Sequence, residues 1–257
     1  MLMKRFNDLQ LFYELLQQLE EKIGRHYLAE CSNRMEWPYQ GVYFFFEPGE
    51  YRDNGTELRV VRIGVSNPPR DKQSGLWDRL RQNRGTVAGK LSGGGDHRIS
   101  DFRTYVGSAL ARRDNIICPT WEEAPRSNAS IREAEHHLEA RVTEVICGMP
   151  FLWISTDSSK NPSMARQVIK NNAIALLSNY QKPARDKASE GWLGSYCQNR
   201  LVRLSGLWHS DHVGDNYDPI FINLMKKLIK ATCAGIGSIL ALEGWGQLFL
   251  TLITGVG

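Results

Sequence analysis

No two of the five cysteines in this 257-residue chain stand in a CxxC spacing, and Cys31, Cys118, Cys147, Cys197 and Cys233 are odd in number and widely scattered. A zinc ribbon needs clustered pairs and a disulfide framework an even set, so neither is supported, and a reduced, cytoplasmic setting fits best. The N-terminus has no uninterrupted apolar stretch, because Lys4, Arg5 and Asp8 break it, and a signal peptide is not expected. There is no internal repeat and no low-complexity run. The glycine-rich loop Leu91 to Gly95 lacks both the GK[ST] ending and the GxGxxG spacing of phosphate loops, and it reads as a linker. From Ala231 to Gly257 the only charge is Glu243, yet six glycines interrupt the segment. A buried or loosely ordered tail is expected there rather than a membrane span.

Charge of one sign is scarce on average, since the net is only +4, but it is unevenly placed. Twelve Lys or Arg and four Asp fall between Arg59 and Arg113, so this stretch carries +8 and the rest of the chain −4. Such a block suits a polyanion-facing surface, and its plain alternative is a solvated face. With 42% hydrophobic and 23% charged residues, the chain is long enough for one large domain or two small ones.

Hydrophobic periodicity places the elements. Leu9, Phe12, Leu16, Leu19 and Ile23 recur at helical spacing over about residues 6 to 30. Gly41 to Phe46 and Leu58 to Ser66 are apolar runs of strand length, joined by a turn-rich segment with Pro48-Gly49 and Asn54-Gly55. Asn67-Pro68-Pro69 ends the second run. Ser74 to Arg84 reads as a short helix, and Ser100 as the cap of the next. Ser130 and Glu133 form a capping box for a helix to Ile146. A buried strand, FLWIS, and a helix from Ser163 to Tyr180 follow. Beyond Lys182 the composition turns to Gly, Trp, Ser and Asn, then to the helix FINLMKKLIK.

The order of Gly41-Val42-Tyr43, Arg62-Ile63-Gly64, a helix with Arg79, the late strand and Asn179 resembles the GIY-YIG nucleases, in particular their restriction-endonuclease-like subgroup. The resemblance covers roughly Trp37 to Tyr180. It implies an α+β fold with a small antiparallel three-stranded sheet flanked by helices. Residues 1–36 are then an N-terminal helix, 37–181 the nuclease-like domain and 182–257 a C-terminal extension. It also implies a DNA endonuclease, a phosphodiester hydrolase using Mg²⁺. Tyr43 would position or deprotonate the attacking water, a role in which a phenol needs help from a metal or nearby cations. Arg79 would stabilise the phosphate with its planar fork. Asn179 matches the late supporting asparagine. Three positions depart from the pattern. Arg62 replaces the usual tyrosine, Asn83 stands where the subgroup often has histidine, and Lys170 stands where the metal-binding glutamate belongs. A protonated lysine has no lone pair for a metal. Glu139, in a similar helix context, is the replacement ligand considered. Arg62, Arg81, Arg84, Lys90, Arg98 and Arg103 are the expected DNA contacts.

Two other readings stand beside this one. The first is a catalytically degenerate GIY-YIG-like module that binds DNA or a partner without cutting. The second is a metal-dependent small-molecule hydrolase using His209, Asp211 and His212, three potential ligands within four residues. Neither the spacing nor the composition gives an oligomeric state.

Overall fold

Seven consecutive residues, Gly41 to Glu47, are buried in β1 (Gly41–Tyr51), so this strand is covered on both faces. That explains why GVYFFF is apolar throughout rather than alternating. β1 is the middle strand of an antiparallel sheet, flanked by β2 (Leu58–Val65) and β3 (Phe151–Ser155) in the order β2-β1-β3. The computed structural model describes residues 2–66, 75–123 and 128–235. The Asn67-Pro68-Pro69 break and the tail from 236 onward lie outside them.

Alternation along β1 sends its side chains into two cores. Val42, Phe44 and Phe46 pack against α1 (Leu2–Ile23), α6 (Pro162–Leu177) and a helix, α8, over residues 220–235. Leu9, Phe12 and Leu16 of α1 and Ile169 and Ala173 of α6 fill that face. Tyr43 and Phe45 point the other way. There α2 (Leu76–Arg84), α3 (Asp101–Arg113) and α5 (Ala129–Cys147) contribute Leu76, Leu80, Phe102, Val106, Leu138 and Val142. A one-turn helix, α4 (Thr120–Glu123), sets Trp121 onto the His97 ring at 3.9 Å. Among the described residues no helix is long and apolar enough to cross a membrane.

The α+β architecture, with its three-stranded antiparallel sheet, is the one expected. Two local details differ. Ser100 does cap α3, accepting from the Arg103 N–H, but α5 is capped by Asn128, whose side chain accepts from Ile131, and not by Ser130. The strand β1 also runs through Pro48-Gly49, with register shifts after Phe45 and Phe46, where a turn was expected.

The extra length of β1 anchors the C-terminal extension. Glu47 Oε2 accepts the indole N–H of both Trp192 and Trp208 at 2.9 Å. Both tryptophans are almost completely buried. Glu50 Oε2 accepts Nε and Nη2 of Arg59 at 2.9 and 2.6 Å and the Ser189 N–H at 3.1 Å. A short helix, α7 (Arg200–Ser205), then leads to Trp208. The Trp208 N–H donates to Val61 O at 2.8 Å, so the extension covers the open edge of β2.

Candidate functional site

Tyr43 is in register with Gly64 of β2, and its ring lies across that glycine. A Cβ built on Gly64 would come within 2.0 Å of Tyr43 Cζ and 2.1 Å of its Oη. The space that a side chain at Gly64 would need is taken by the tyrosine ring.

Arg62 is in register with Phe45 and shares the second face. It is 7% exposed. Its guanidinium lies 5.4 Å from the Phe102 ring centroid and donates to the Trp208 carbonyl. Its Nε has no hydrogen-bond partner among the described residues. Burial lowers the Arg62 pKa. Tyr43 and Asp211 oppose that shift, Arg79 adds to it, and Asp101 opposes it again. All four therefore act on one guanidinium, whose Nη1 lies 3.3 Å from His209 Nδ1. Arg79, half-buried on α2, is aimed by Nη1, which donates to Gln82 Oε1 at 2.6 Å and Ile99 O at 3.0 Å.

The extension adds the rest. His209 is fully buried, and its Nε2 accepts the Ile63 backbone N–H at 3.0 Å. That leaves the proton on Nδ1, which meets Asp211 Oδ1 at 3.2 Å. Asp211 Oδ2 lies 2.7 Å from Lys170 Nζ. Tyr105 on α3 joins the same group through a 2.6 Å bond to Ser210. The sequence motif had placed Tyr43, Arg79 and Lys170 in the site. It gave no sign of Asp101 or Tyr105, and it read His209 and Asp211 as a separate metal cluster. His212 turns away to Asp215, at 2.7 Å.

Burial pushes the His209 pKa down to about 3, with the Arg62 charge adding to the effect. An unfolded chain takes up this proton near pH 6.5, and the folded one does not until far lower pH. The stabilising difference is thus complete above pH 6.5 and is lost as pH falls toward 3. His209→Gln, whose carbonyl can still accept from Ile63, should flatten the fall in stability between about pH 6.5 and 5. Urea unfolding at several pH values reads this, and parallel wild-type and variant curves would refute it.

The remaining expected residues lie elsewhere. Asn83 is buried, its Oδ1 accepting from Ser100 Oγ at 2.9 Å, and it ties α2 to the start of α3. Asn179 clips the turn after α6, bonding the Arg185 N–H and carbonyl at 2.8 and 2.9 Å. None of its hydrogen bonds reaches the Tyr43 group.

Among the described residues, Asp96, His97 and Glu139 are the three ligating side chains grouped closely enough to share a metal. Glu139 has no room for one. Its Oε1 accepts the His97 N–H at 2.6 Å and Nδ1 at 2.9 Å, and its Oε2 accepts Arg103 Nε at 3.0 Å and Nη2 at 2.5 Å. Four donors occupy the four lone-pair directions of a carboxylate.

The basic block is largely matched from outside itself. Arg59 pairs with Glu50, Lys90 with Glu133, Arg98 with Glu135 and Arg103 with Glu139. These four glutamates halve its net charge. Arg103 is 0% exposed, inside the fold rather than on a DNA-facing surface. Arg84 donates to Cys31 O at 2.7 Å and stacks on Trp77. Arg81 and Lys90 keep most of their side chains in solvent, at 61% and 77% exposure.

A family model described as the GIY-YIG domain matches residues 3–234. No curated protein and no solved structure matches the chain.

Proposed function

This chain belongs to the GIY-YIG family, and from that premise we propose that it is an endonuclease acting on DNA. The half-buried Arg79 receives one phosphodiester, with Arg62 and Tyr43, 7% and 1% exposed, behind it. The observation that supports this is that Tyr43 of β1 and Arg79 of α2 both act on the charge of the buried Arg62 guanidinium of β2. Arg79 and Arg62 offer planar donor forks to the charge that grows on the phosphate. Tyr43 orients the water that attacks it. Arg81 and Lys90, whose side chains stay mostly in solvent beside Asp78 and Glu133, and the half-buried Arg84 are the cations that follow the strand on either side.

The family's Mg²⁺ requires a carboxylate with free lone pairs. Lys170, at the position that the motif order gives to the glutamate, has none, and Glu139 is saturated. Asp211 accepts one hydrogen bond on each oxygen, from Lys170 and His209, and is 46% exposed, so Asp211 and the exposed Asp101 are the carboxylates that would hold the ion, which would supply charge stabilisation to the phosphate. No step is routed through it.

Wild-type protein should nick a supercoiled plasmid. Tyr43→Phe should bind the same DNA and cut it roughly 10²-fold more slowly or worse. Arg79→Ala should lose about 10²–10³ in cutting rate, because it removes charge stabilisation in the transition state. Equal cutting by Tyr43→Phe and wild type would sink the site assignment. The Lys170–Asp211 pair favours a second reading, a module that binds DNA without cleaving it. Salt-sensitive binding with no nicking by wild type selects that one.

A further inference from the structure

We infer that the cavity between the first turn of α1 and the loops that follow α6 and precede α8 is a binding site for a small phosphomonoester. It measures about 280 Å³, at the lower end for small-ligand sites. Lys4, Arg5, Lys182 and Arg185 line it, and no carboxylate does. Among the described residues none of these four cations makes an ion pair. The site is separate from the Tyr43 group. α1 and α6 cover the face of the sheet that carries Val42 and Phe44, and Tyr43 points to the other. The inference therefore does not rest on the DNA reading.

Arg5 is 9% exposed, yet its bonds end on neutral oxygens. Nε donates to Leu176 O at 3.0 Å, Nη1 to Pro183 O and Nη2 to Ser178 O at 2.8 Å. Nη1 keeps a second hydrogen for a ligand. Lys182 Nζ donates to the carbonyls of Ala175, Val213 and Asp215 at 2.7, 3.3 and 2.8 Å. Burial and the Arg5 charge lower the Lys182 pKa to about 8, against an opposing pull from Asp215. Two desolvated cations that repel each other are unfavourable, and a bound anion relieves both. Lys4 and Arg185 supply the free donors, since no hydrogen bond engages either side chain among the described residues. Arg185 is held over the Phe6 ring at 5.2 Å, and Asn179 Oδ1 accepts both its backbone N–H at 2.8 Å and Arg5 Nη2 at 3.4 Å. The carboxylates nearby are turned to other partners. Asp8 accepts the Tyr217 hydroxyl at 2.7 Å, Asp186 accepts from Arg52 at 3.2 Å and Asp215 meets His212 at 2.7 Å. A phosphomonoester brings nearly two negative charges and three acceptor oxygens to such a cluster, where a carboxylate or a phosphodiester brings one charge. The Tyr217 ring and the lysine stems give its apolar body a surface.

Isothermal titration calorimetry of the full chain at neutral pH and low salt tests this, with phenyl phosphate and adenosine 5′-monophosphate as probes and adenosine as the uncharged control. At least one of the two esters should bind at millimolar concentration or below, and adenosine should not. Lys4→Ala/Arg185→Ala should weaken that binding about tenfold or more. Should the double variant not fold, Lys4→Glu alone, at an exposed side chain, reads the same loss. The inference is overturned if neither ester binds, if adenosine binds as well as its monophosphate, or if wild type and variant bind equally. An oligonucleotide with and without a 5′-phosphate separates two sources of the same chemistry. Binding that needs both the 5′-phosphate and Arg185 supports the site with a strand end as its ligand. Binding of the free esters alone supports it with a free small molecule.

Discussion

Arg103→Leu is expected to lower the stability of this protein by roughly 3–5 kcal/mol, the range for breaking a buried ion pair from one side. Arg103 has no exposed surface, and Glu139 is 2% exposed. The guanidinium bonds Glu139 Oε2 through two nitrogens, the Glu139 carbonyl at 2.9 Å, Thr143 Oγ1 at 2.9 Å and the Asn83 carbonyl at 2.9 Å. It thereby fastens α3, α5 and the end of α2 together. Leucine leaves an ionised carboxylate in the interior with only the His97 donors to balance it. Urea unfolding at neutral pH measures the loss, and a change under about 1 kcal/mol would contradict the burial described. Arg103→Leu/Glu139→Leu should recover part of it, because removing both charges removes the unpaired one.

Gly64→Ala should cost about 1–3 kcal/mol and abolish plasmid nicking, although it adds a single methyl group. The added carbon would sit 2.0 Å from Tyr43 Cζ, well inside van der Waals contact. The ring must leave the position from which it faces the Arg62 group. Backbone strain plays no part, since Gly64 is not among the glycines with positive φ. The clash is steric and pairwise, so its effects should not add. Gly64→Ala/Tyr43→Ala should be more stable than the two single losses combined would allow. Nicking should stay absent, because the tyrosine is gone. Strict additivity in thermal unfolding would mean that the two residues do not meet.

The charge pattern shows how a true count can mislead about a surface. The +8 between Arg59 and Arg113 is correct as arithmetic. Glu50, Glu133, Glu135 and Glu139 all lie outside the counted stretch, and each reaches one of its cations. Arg59 and Arg103 then turn inward as structural residues. A sum over consecutive residues cannot include partners brought in by folding. The Ser130/Glu133 capping box fails for a smaller reason of the same kind. Asn128, two residues upstream, makes the same hydrogen bond and starts the helix earlier.

Periodicity and motif order were enough to place the three strands, the main helices, and Tyr43, Gly64 and Arg79 on particular elements. Those signals are local, since a strand's alternation or a helix's apolar stripe is written within a dozen residues. The same residues left the role of the extension open, and with it the meaning of Lys170. Its partner Asp211 is 41 residues further along the chain. The two meet because Glu47 and Glu50 pin the extension, Trp208 pairs with the edge of β2, and His209 locks onto Ile63. What Lys170 does depends on the carboxylate beside it, and chain path rather than local pattern decides which carboxylate that is.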